Sequence, residues 1–251
     1  EADRMLDMGF IKPIEKILGT LRSKSQTLLF SATFSGPIRK LAERFLTNPE
    51  RIEMAHEGNA TDNIEQSAYF VDGHRKRALL THIMSEEDWG QVLVFTRTKR
   101  GADKLAEQLE RDGIRSTAIH GDKTQGARSK ALSAFKKSSV QALVATDVAA
   151  RGLDIDKLPH VVNYDLPDNA DDYVHRIGRT GRAGSLGQAV SLVSGDERRQ
   201  LSAIERGVKG RIATTTHDRF QPTPGGGQGG RGGYGGNRRG KGGPQGRRPN
   251  R

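Results

Sequence analysis

The stretch YVHRIGRTGRAG, residues 173–184, sets Arg176, Arg179 and Arg182 three positions apart, with Gly178, Gly181 and Gly184 between or after them. The guanidinium group is planar, permanently charged and forked, which suits it to phosphate oxygens. Glycine lets the backbone turn sharply or approach a ligand closely. A solvated basic loop would account for the arginines alone but does not need that glycine pattern, so the full string points to phosphate chemistry. Other groups with donor chemistry follow strand-like runs or open helix-like ones. Thr96 and Arg97 follow QVLVF; Gly121, Gln125 and Arg128 follow RSTAI; Thr146, Arg151 and Gly152 follow VQALVA. Hydroxyl, amide, guanidinium and exposed backbone donors at such places hold phosphates and sugars rather than read bases. Gln125 is placed to orient Arg128 or to cap its helix rather than to touch a ligand itself.

These residues need a frame that gathers strand ends. From residue 66 the chain alternates strand-like and helix-like runs: QSAYFV, HRKRALLTHIM, QVLVF, TKRGADKLAEQLERDG, RSTAI, TQGARSKALSAFKK, VQALVA, HVVNY, DDYVHRIG, QAVSLVS and DERRQLSAIERG. Ala102, Leu105, Ala106 and Leu109 share one helical face, and Gly113 is suited to end that helix. The alternation predicts an α/β fold of βαβ units, a parallel sheet with helices on both faces. Such sheets bind ligands at the carboxyl ends of their strands, where the polar and Gly-rich stretches fall. Upstream, QTLLF (26–30) reads as a short strand, Ser35-Gly36-Pro37 opens the helix IRKLAERFL, and Asn48-Pro49 ends it. The polar run HEGNATDN lacks periodicity and reads as linker. The expected division is therefore 1–50, a linker at 51–63, a second domain at 64–210, and a tail at 211–251.

That tail dominates the charge. From His217 to Arg251 there are eight Lys or Arg against Asp218 alone, a net +7 of the chain's +11. Residues 225–246 hold 13 glycines, interleaved with Arg231, Tyr234, Arg238, Arg239 and Lys241. Such a segment buries too little apolar surface to offset its chain entropy and is expected to be disordered. Arginines and an aromatic among glycines suit flexible capture of a nucleic acid, with an inert solubilising tail as the competing reading. The absence of Cys rules out disulfides and thiol chemistry within these 251 residues and fits a reducing cytosol. No stretch reaches the ~18 apolar residues of a membrane span.

HRIGRTGR resembles motif VI of the DEAD-box RNA helicases, within helicase superfamily 2. Further stretches resemble that family's motifs in order. EAD (1–3) is similar to the last three letters of the D-E-A-D box, Ser31-Ala32-Thr33 to motif III and LVFTRT (93–98) to motif IV. Gln125 and Arg128 are similar to the Q-x-x-R element, and ATDVAARGLDI (145–155) to motif V. The resemblance runs from residue 1 to about 205. His175 favours the DEAD-box group over its DEAH relatives, and the wording of RMLDMGF, QVLVFTRTK and DIDKLPHVVNYDLP most resembles the bacterial RhlE-type subgroup.

The resemblance implies two RecA-like domains that close around ATP, Mg²⁺ and RNA, giving ATP-driven separation of short RNA duplexes. It implies that Glu1 orients the attacking water near Mg²⁺, and that Asp3, Ser31, Thr33 and His175 couple the nucleotide and RNA sites. Asp154 would bind the ATP ribose, and Arg179 and Arg182 would reach the γ-phosphate. An arginine supplied there is worth roughly 10³ to 10⁵ in rate. Thr96, Arg97, Gly121, Gln125, Arg128, Thr146, Arg151 and Gly152 would lie along the RNA strand, with Arg151 equally placed for ATP or for a bridge. Simpler roles compete: a helix N-terminal acid for Glu1, a strand-to-helix turn for Ser31-Ala32-Thr33, a packed histidine for His175 and a turn acid for Asp154. EAD is expected to be a D-E-A-D box entered after its first letter, and the sequence holds no G-x-x-x-x-G-K-[ST] phosphate loop. The expected activity therefore belongs to the parent protein, with RNA binding at most for this chain. The alternatives are a non-enzymatic RNA-binding or annealing module and, from the same superfamily, a DNA translocase. The family also implies a cytoplasmic monomer, with ribosome assembly or RNA decay as settings for similar bacterial proteins.

Overall fold

The computed structural model describes residues 1–21, 26–31, 34–53, 63–151, 153, 155, 158–181 and 186–223. Thr33, Gly152, Asp154, Arg182, most of the expected linker and everything after Thr223 lie outside these residues. The chain divides into two compact units, residues 1–56 and 57–251.

In the first unit the helices are α1 (Ala2–Asp7), α2 (Ile11–Leu18) and α3 (Gly36–Phe45). Pro37 sits in the first turn of α3, where a missing N–H leaves no helical hydrogen bond unmade. The sequence reading did not anticipate α2. It did anticipate a strand over 26–30, and here the structure differs: these residues carry no sheet pairing. A strand is made by its neighbours. In the QTLLF segment the Phe30 carbonyl accepts from the Glu1 amino group at 3.1 Å and from the Ala2 N–H at 2.9 Å. Leu28 and Phe30 stand 66% and 73% exposed.

The second unit is built on β1 (Ile64–Phe70), α4 (Lys76–Glu86), β2 (Val92–Phe95), α5 (Lys99–Arg111), β3 (Ser116–Ile119), α6 (Gln125–Lys136) and β4 (Ala142–Ala145). It continues with α7 (Asp147–Ala150), β5 (His160–Asn163), α8 (Ala170–Ile177), β6 (Gly187–Val193), α9 (Arg198–Val208) and β7 (Ala213–Thr215). The seven strands form one sheet in the order β3-β4-β2-β5-β6-β1-β7, and every pairing is parallel. This is a RecA-like α/β sheet.

Strand periodicity divides the core. Val92, Val94, Ala142 and Val144 pack with Leu79, Leu80 and Ile83 of α4 and with Ala102, Leu105 and Leu109 of α5. Their neighbours Leu93, Phe95, Leu143 and Ala145 point the other way, onto Ala131 and Phe135 of α6 and onto α7. On that same side Ile64, Ala68, Ala189 and Val193 meet Tyr173 and Ile177 of α8 and Leu201 and Ile204 of α9. Covering both faces is what requires unbroken apolar strands such as VLVF. Thr98 caps α5 by accepting the Gly101 N–H at 2.9 Å, and Gly113 follows the helix at φ +89°. The ordered unit continues past residue 210, where the sequence reading placed the start of the tail. Ile212 is buried, β7 pairs with β1, and the chain remains attached as far as Thr223. A three-residue strand with no apolar run gives no periodic signal, and β7 was illegible for that reason.

Candidate functional site

At the carboxyl ends of β2 and β4 a small half-open pocket is lined by Phe95, Asp147, Ala150, Arg151, His175, Arg176 and Arg179. Two short helices shape it. The backbone of α7 starts directly after β4, and α8 is started by Asn169, whose side chain accepts the Asp172 N–H at 2.8 Å.

The arginines of the HRIGRTGR string have different places. Arg176 is 3% exposed. Its Nε and Nη2 donate to the two carboxylate oxygens of Asp147 at 2.6 and 2.8 Å. Its Nη1 donates to Asn163 Oδ1 at 3.2 Å and to the Asp165 carbonyl at 2.7 Å. Four of the five N–H donors of a guanidinium are thereby engaged. Arg176 ties α8 to the ends of β4 and β5 and does not present itself to a ligand. Arg179 follows the end of α8 and also lines the pocket, with Nη1 donating to the Leu153 carbonyl at 3.3 Å. Arg151 pairs with Asp172 of α8, both side chains largely covered. The glycines serve the turn itself. Gly181 has φ +66°, and a Cβ there would lie 2.5 Å from the Ile64 side chain and 2.9 Å from the Asn63 carbonyl oxygen. Glycine is needed at Gly181 for a left-handed turn packed against β1, so the close approach is to the protein's own backbone.

The residues expected along a nucleic-acid strand fall into two groups. Thr96 and Thr146 are buried, so their side chains are part of the strand-end packing. Arg97, Gly121, Gln125 and Arg128 are at the surface or partly exposed. The Arg97 backbone N–H donates to Asp165 at 2.8 Å, its Nη2 donates to Gln200 at 3.3 Å, and it lies 3.7 Å from Glu197. Gln125 accepts from Arg128 Nη1 at 3.3 Å, while the helix cap is Thr124, which accepts the Ala127 N–H at 3.3 Å. Gln125 therefore orients Arg128 and leaves capping to its neighbour. Lys99, which the sequence reading did not single out, lies beside Gly121 and pairs with Asp122 at 2.5 Å. The hydrogen bond from Lys99 holds the Asp122 carboxyl below its usual range. Burial pushes Asp103 up, but hydrogen bonds from Lys123 and His120 outweigh it, so this carboxyl too is depressed. Beneath Arg97 lies an ion pair that sequence reasoning also missed: Lys76 Nζ to Glu197 at 2.5 Å, both residues buried. Glu197 also accepts the Ser194 and Leu166 N–H groups, at 3.0 and 3.2 Å. Lys76 opens a helix and Glu197 closes a 3₁₀ turn, and nothing in their spacing of 121 residues signals that they meet.

In the first unit Glu1 is exposed, and Asp3 accepts the Ser31 hydroxyl at 3.0 Å. The structure thus joins two of the expected coupling residues directly.

The chain was compared with known proteins. The helicase conserved C-terminal domain family matches residues 74–184, and the DEAD/DEAH box helicase family matches residues 1–41. The solved structure of E. coli DEAD-box protein SrmB, bound to the regulator of ribonuclease activity A, is 38% identical. That match covers 64% of this chain and 95% of the SrmB chain with a TM-score of 0.62. The chain belongs to the DEAD-box helicase family. Another DEAD-box structure, S. cerevisiae Dbp5 bound to RNA and ADP BeF3, is 33% identical over 88% of this chain and 58% of that one, with a TM-score of 0.74. Among curated relatives, the DEAD-box ATP-dependent RNA helicase CshA of Bacillus subtilis is 47% identical over 209 residues, 83% of this chain and 42% of the relative. CshA of Geobacillus kaustophilus is 47% identical over 211 residues, 83% of this chain and 45% of the relative. The chain thus spans rather more than two fifths of the length of these curated CshA relatives. None of the relatives named here carries the RhlE name.

Proposed function

We propose that the whole protein is an ATP-dependent RNA helicase that separates short duplexes by ATP-driven domain closure, and that this chain supplies RNA-binding surface and arginines for the phosphates. The observation that carries this reading is the division of labour within HRIGRTGR. Four of the five Arg176 donors are taken up by Asp147, Asn163 and Asp165, which fixes α8, while Arg179 lines the same pocket. A guanidinium held in this way can neutralise charge developing on a transferring phosphoryl group without reorganising. ATP would supply the phosphoanhydride that is cleaved. Arg179, together with Arg182 and Asp154 outside the described residues, would hold its phosphates and ribose. Toward Mg²⁺ the fit among the described residues is poor: Glu1 is exposed and Asp3 is engaged by Ser31.

For RNA, Arg97, Arg128 and the backbone at Gly121 would hold phosphates without reading sequence, and 2′-hydroxyl contacts would select RNA over DNA. The basic residues after 223 would add salt-sensitive capture. The RhlE-type wording of RMLDMGF supports a bacterial subgroup assignment within the same function.

The test has two arms. In the whole protein, Arg179→Ala should lower RNA-stimulated ATP hydrolysis by roughly 10³ or more, with RNA binding retained. A loss of only a few fold would overturn the assignment. This chain by itself should bind RNA, more weakly after Arg128→Ala, and hydrolyse ATP no faster than background. RNA-stimulated hydrolysis by the chain alone would overturn its reading as RNA-binding only.

A further inference from the structure

Away from the strand ends, α4 carries His82 and Glu86 one helical turn apart, and both meet His217 in the segment after β7. Glu86 Oε1 lies 3.1 Å from His82 Nε2, and Glu86 Oε2 lies 3.8 Å from His217 Nε2. One ligand atom from each of the three residues lies within 4.8 Å of the others. The imidazole rings meet edge-on with centroids 4.7 Å apart, and the Phe220 ring stands 5.5 Å from each as an apolar wall. His82 Nε2 is buried and has no well-aligned hydrogen bond. Glu86, 55% exposed, leaves one side of the cluster open to water.

We propose that His82, Glu86 and His217 form a divalent transition-metal site, of Zn²⁺ type, that fastens residues 211–223 to α4. Two imidazoles and one carboxylate with an open fourth position are a donor set that suits Zn²⁺. Metal–ligand bonds of about 2.0–2.2 Å place tetrahedral ligand atoms about 3.4 Å apart; each imidazole lies near that distance from one of the two Glu86 oxygens, at 3.1 and 3.8 Å, and the three ligand atoms lie within 4.8 Å of one another, so small side-chain shifts bring the set onto one ion. Residues 211–223 are already held by β7, by buried Ile212, by Arg75 donating to the Arg219 and Gln221 carbonyls and lying over the Phe220 ring at 5.1 Å, and by Thr223 on Asp72. A metal at His217 would add a tie to α4 in the middle of that segment. Coordination has a specific local cost. His217 Nδ1 accepts the Arg219 N–H at 3.3 Å, so the neutral ring carries its proton on Nε2. Binding through Nε2 moves that proton to Nδ1 and gives up this long hydrogen bond. The chain has no cysteine, so no thiolate competes for the ion.

The untagged chain, stripped with a chelator, would be titrated with Zn²⁺ against a chromophoric competitor. Co²⁺ absorption would report the geometry, and hydrogen exchange would report on residues 217–220. One equivalent should bind. His217→Gln and Glu86→Gln should each weaken it by at least about tenfold, while His74→Gln, in an exposed turn, should not. Zn²⁺ should slow exchange at 217–220 in the native chain but not in His217→Gln. The absence of saturable binding would overturn the site. So would binding that His217→Gln and Glu86→Gln leave unchanged, or exchange at 217–220 that is indifferent to the metal.

Discussion

Among the described residues of 1–56 the buried apolar side chains are Ala2, Ile38, Leu41 and Ala42, whereas Met5, Met8, Phe10, Ile17, Leu21, Leu28, Phe30, Phe34 and Ile52 are exposed. In residues 63–223 only Val148 and Leu186 among the described large apolar residues stand out, and β2 and β4 are buried along their whole length. Local pattern alone does not separate them, since α3 and α5 are both amphipathic helices. The difference lies in what each can lean on. The seven-stranded sheet offers two faces for helices to cover, while among the described residues QTLLF pairs with no strand.

The widest test of that contrast uses one ion pair from each region. Arg176→Ala would strand Asp147 and Asn163 in a buried network, and the expected loss is about 3–5 kcal/mol. Arg44 pairs with Glu15 at 2.6 Å but is 63% exposed, and Arg44→Ala should cost no more than about 1 kcal/mol. Urea unfolding followed by amide exchange, read separately in residues 26–53 and 92–163, measures both. Equal losses would mean that the sheet contributes nothing special to the Arg176 network. A second pair removes apolar groups. Leu109→Ala, at a fully buried position, should cost about 2–5 kcal/mol, whereas Leu28→Ala, at 66% exposure, should stay within about 0.5 kcal/mol. A large loss from Leu28→Ala would show that the first unit packs more tightly than its exposure indicates.

The contrast also explains what the sequence could reveal. The strands β2 to β6 and helices α4 to α6 were legible because their burial is periodic and local; the α5 face Ala102, Leu105, Ala106, Leu109 is buried as the spacing requires. The site was legible where residue type limits its role, as in the Gln125–Arg128 pair; that Asp3 accepts the Ser31 hydroxyl was not foreseen, since both were named only through the resemblance. It was illegible where a residue's role depends on a distant partner. The HRIGRTGR string cannot say that Arg176 turns onto Asp147 while Arg179 reaches the Leu153 carbonyl, because Asp147 lies 29 residues away and Leu153 26. Lys76, Glu197 and the 211–223 segment were missed for the same reason.

Helix starts give a smaller version of the same comparison. Thr98 makes a side-chain cap to Gly101, while Ser35 at the start of α3 makes none. Thr98→Ala should cost about 1 kcal/mol; Ser35→Ala, with no cap bond to lose, should have an effect too small to resolve. Thermal unfolding of the two variants checks this. A comparable loss from Ser35→Ala would mean that the α3 cap forms in solution.

The smallest expected effect probes the weakest part of the larger unit. Thr223 donates to Asp72 through its backbone N–H at 3.2 Å and its hydroxyl at 2.7 Å. That side-chain hydrogen bond is the main cause that holds the exposed Asp72 carboxyl below its usual value of 3.8. A depressed carboxyl contributes its stabilisation above the unfolded-state value and loses it as pH falls through the lower folded one. The end of the 211–223 segment should therefore loosen on acidification below pH 3.8, while β2 and β4, which hold no titrating side chain, keep their protection. Thr223 amide exchange against pH, compared with Asp72→Asn, isolates the effect, because the amide side chain can still accept but cannot titrate. If Asp72→Asn shows the same acid step, the loosening does not originate at the Asp72 carboxyl.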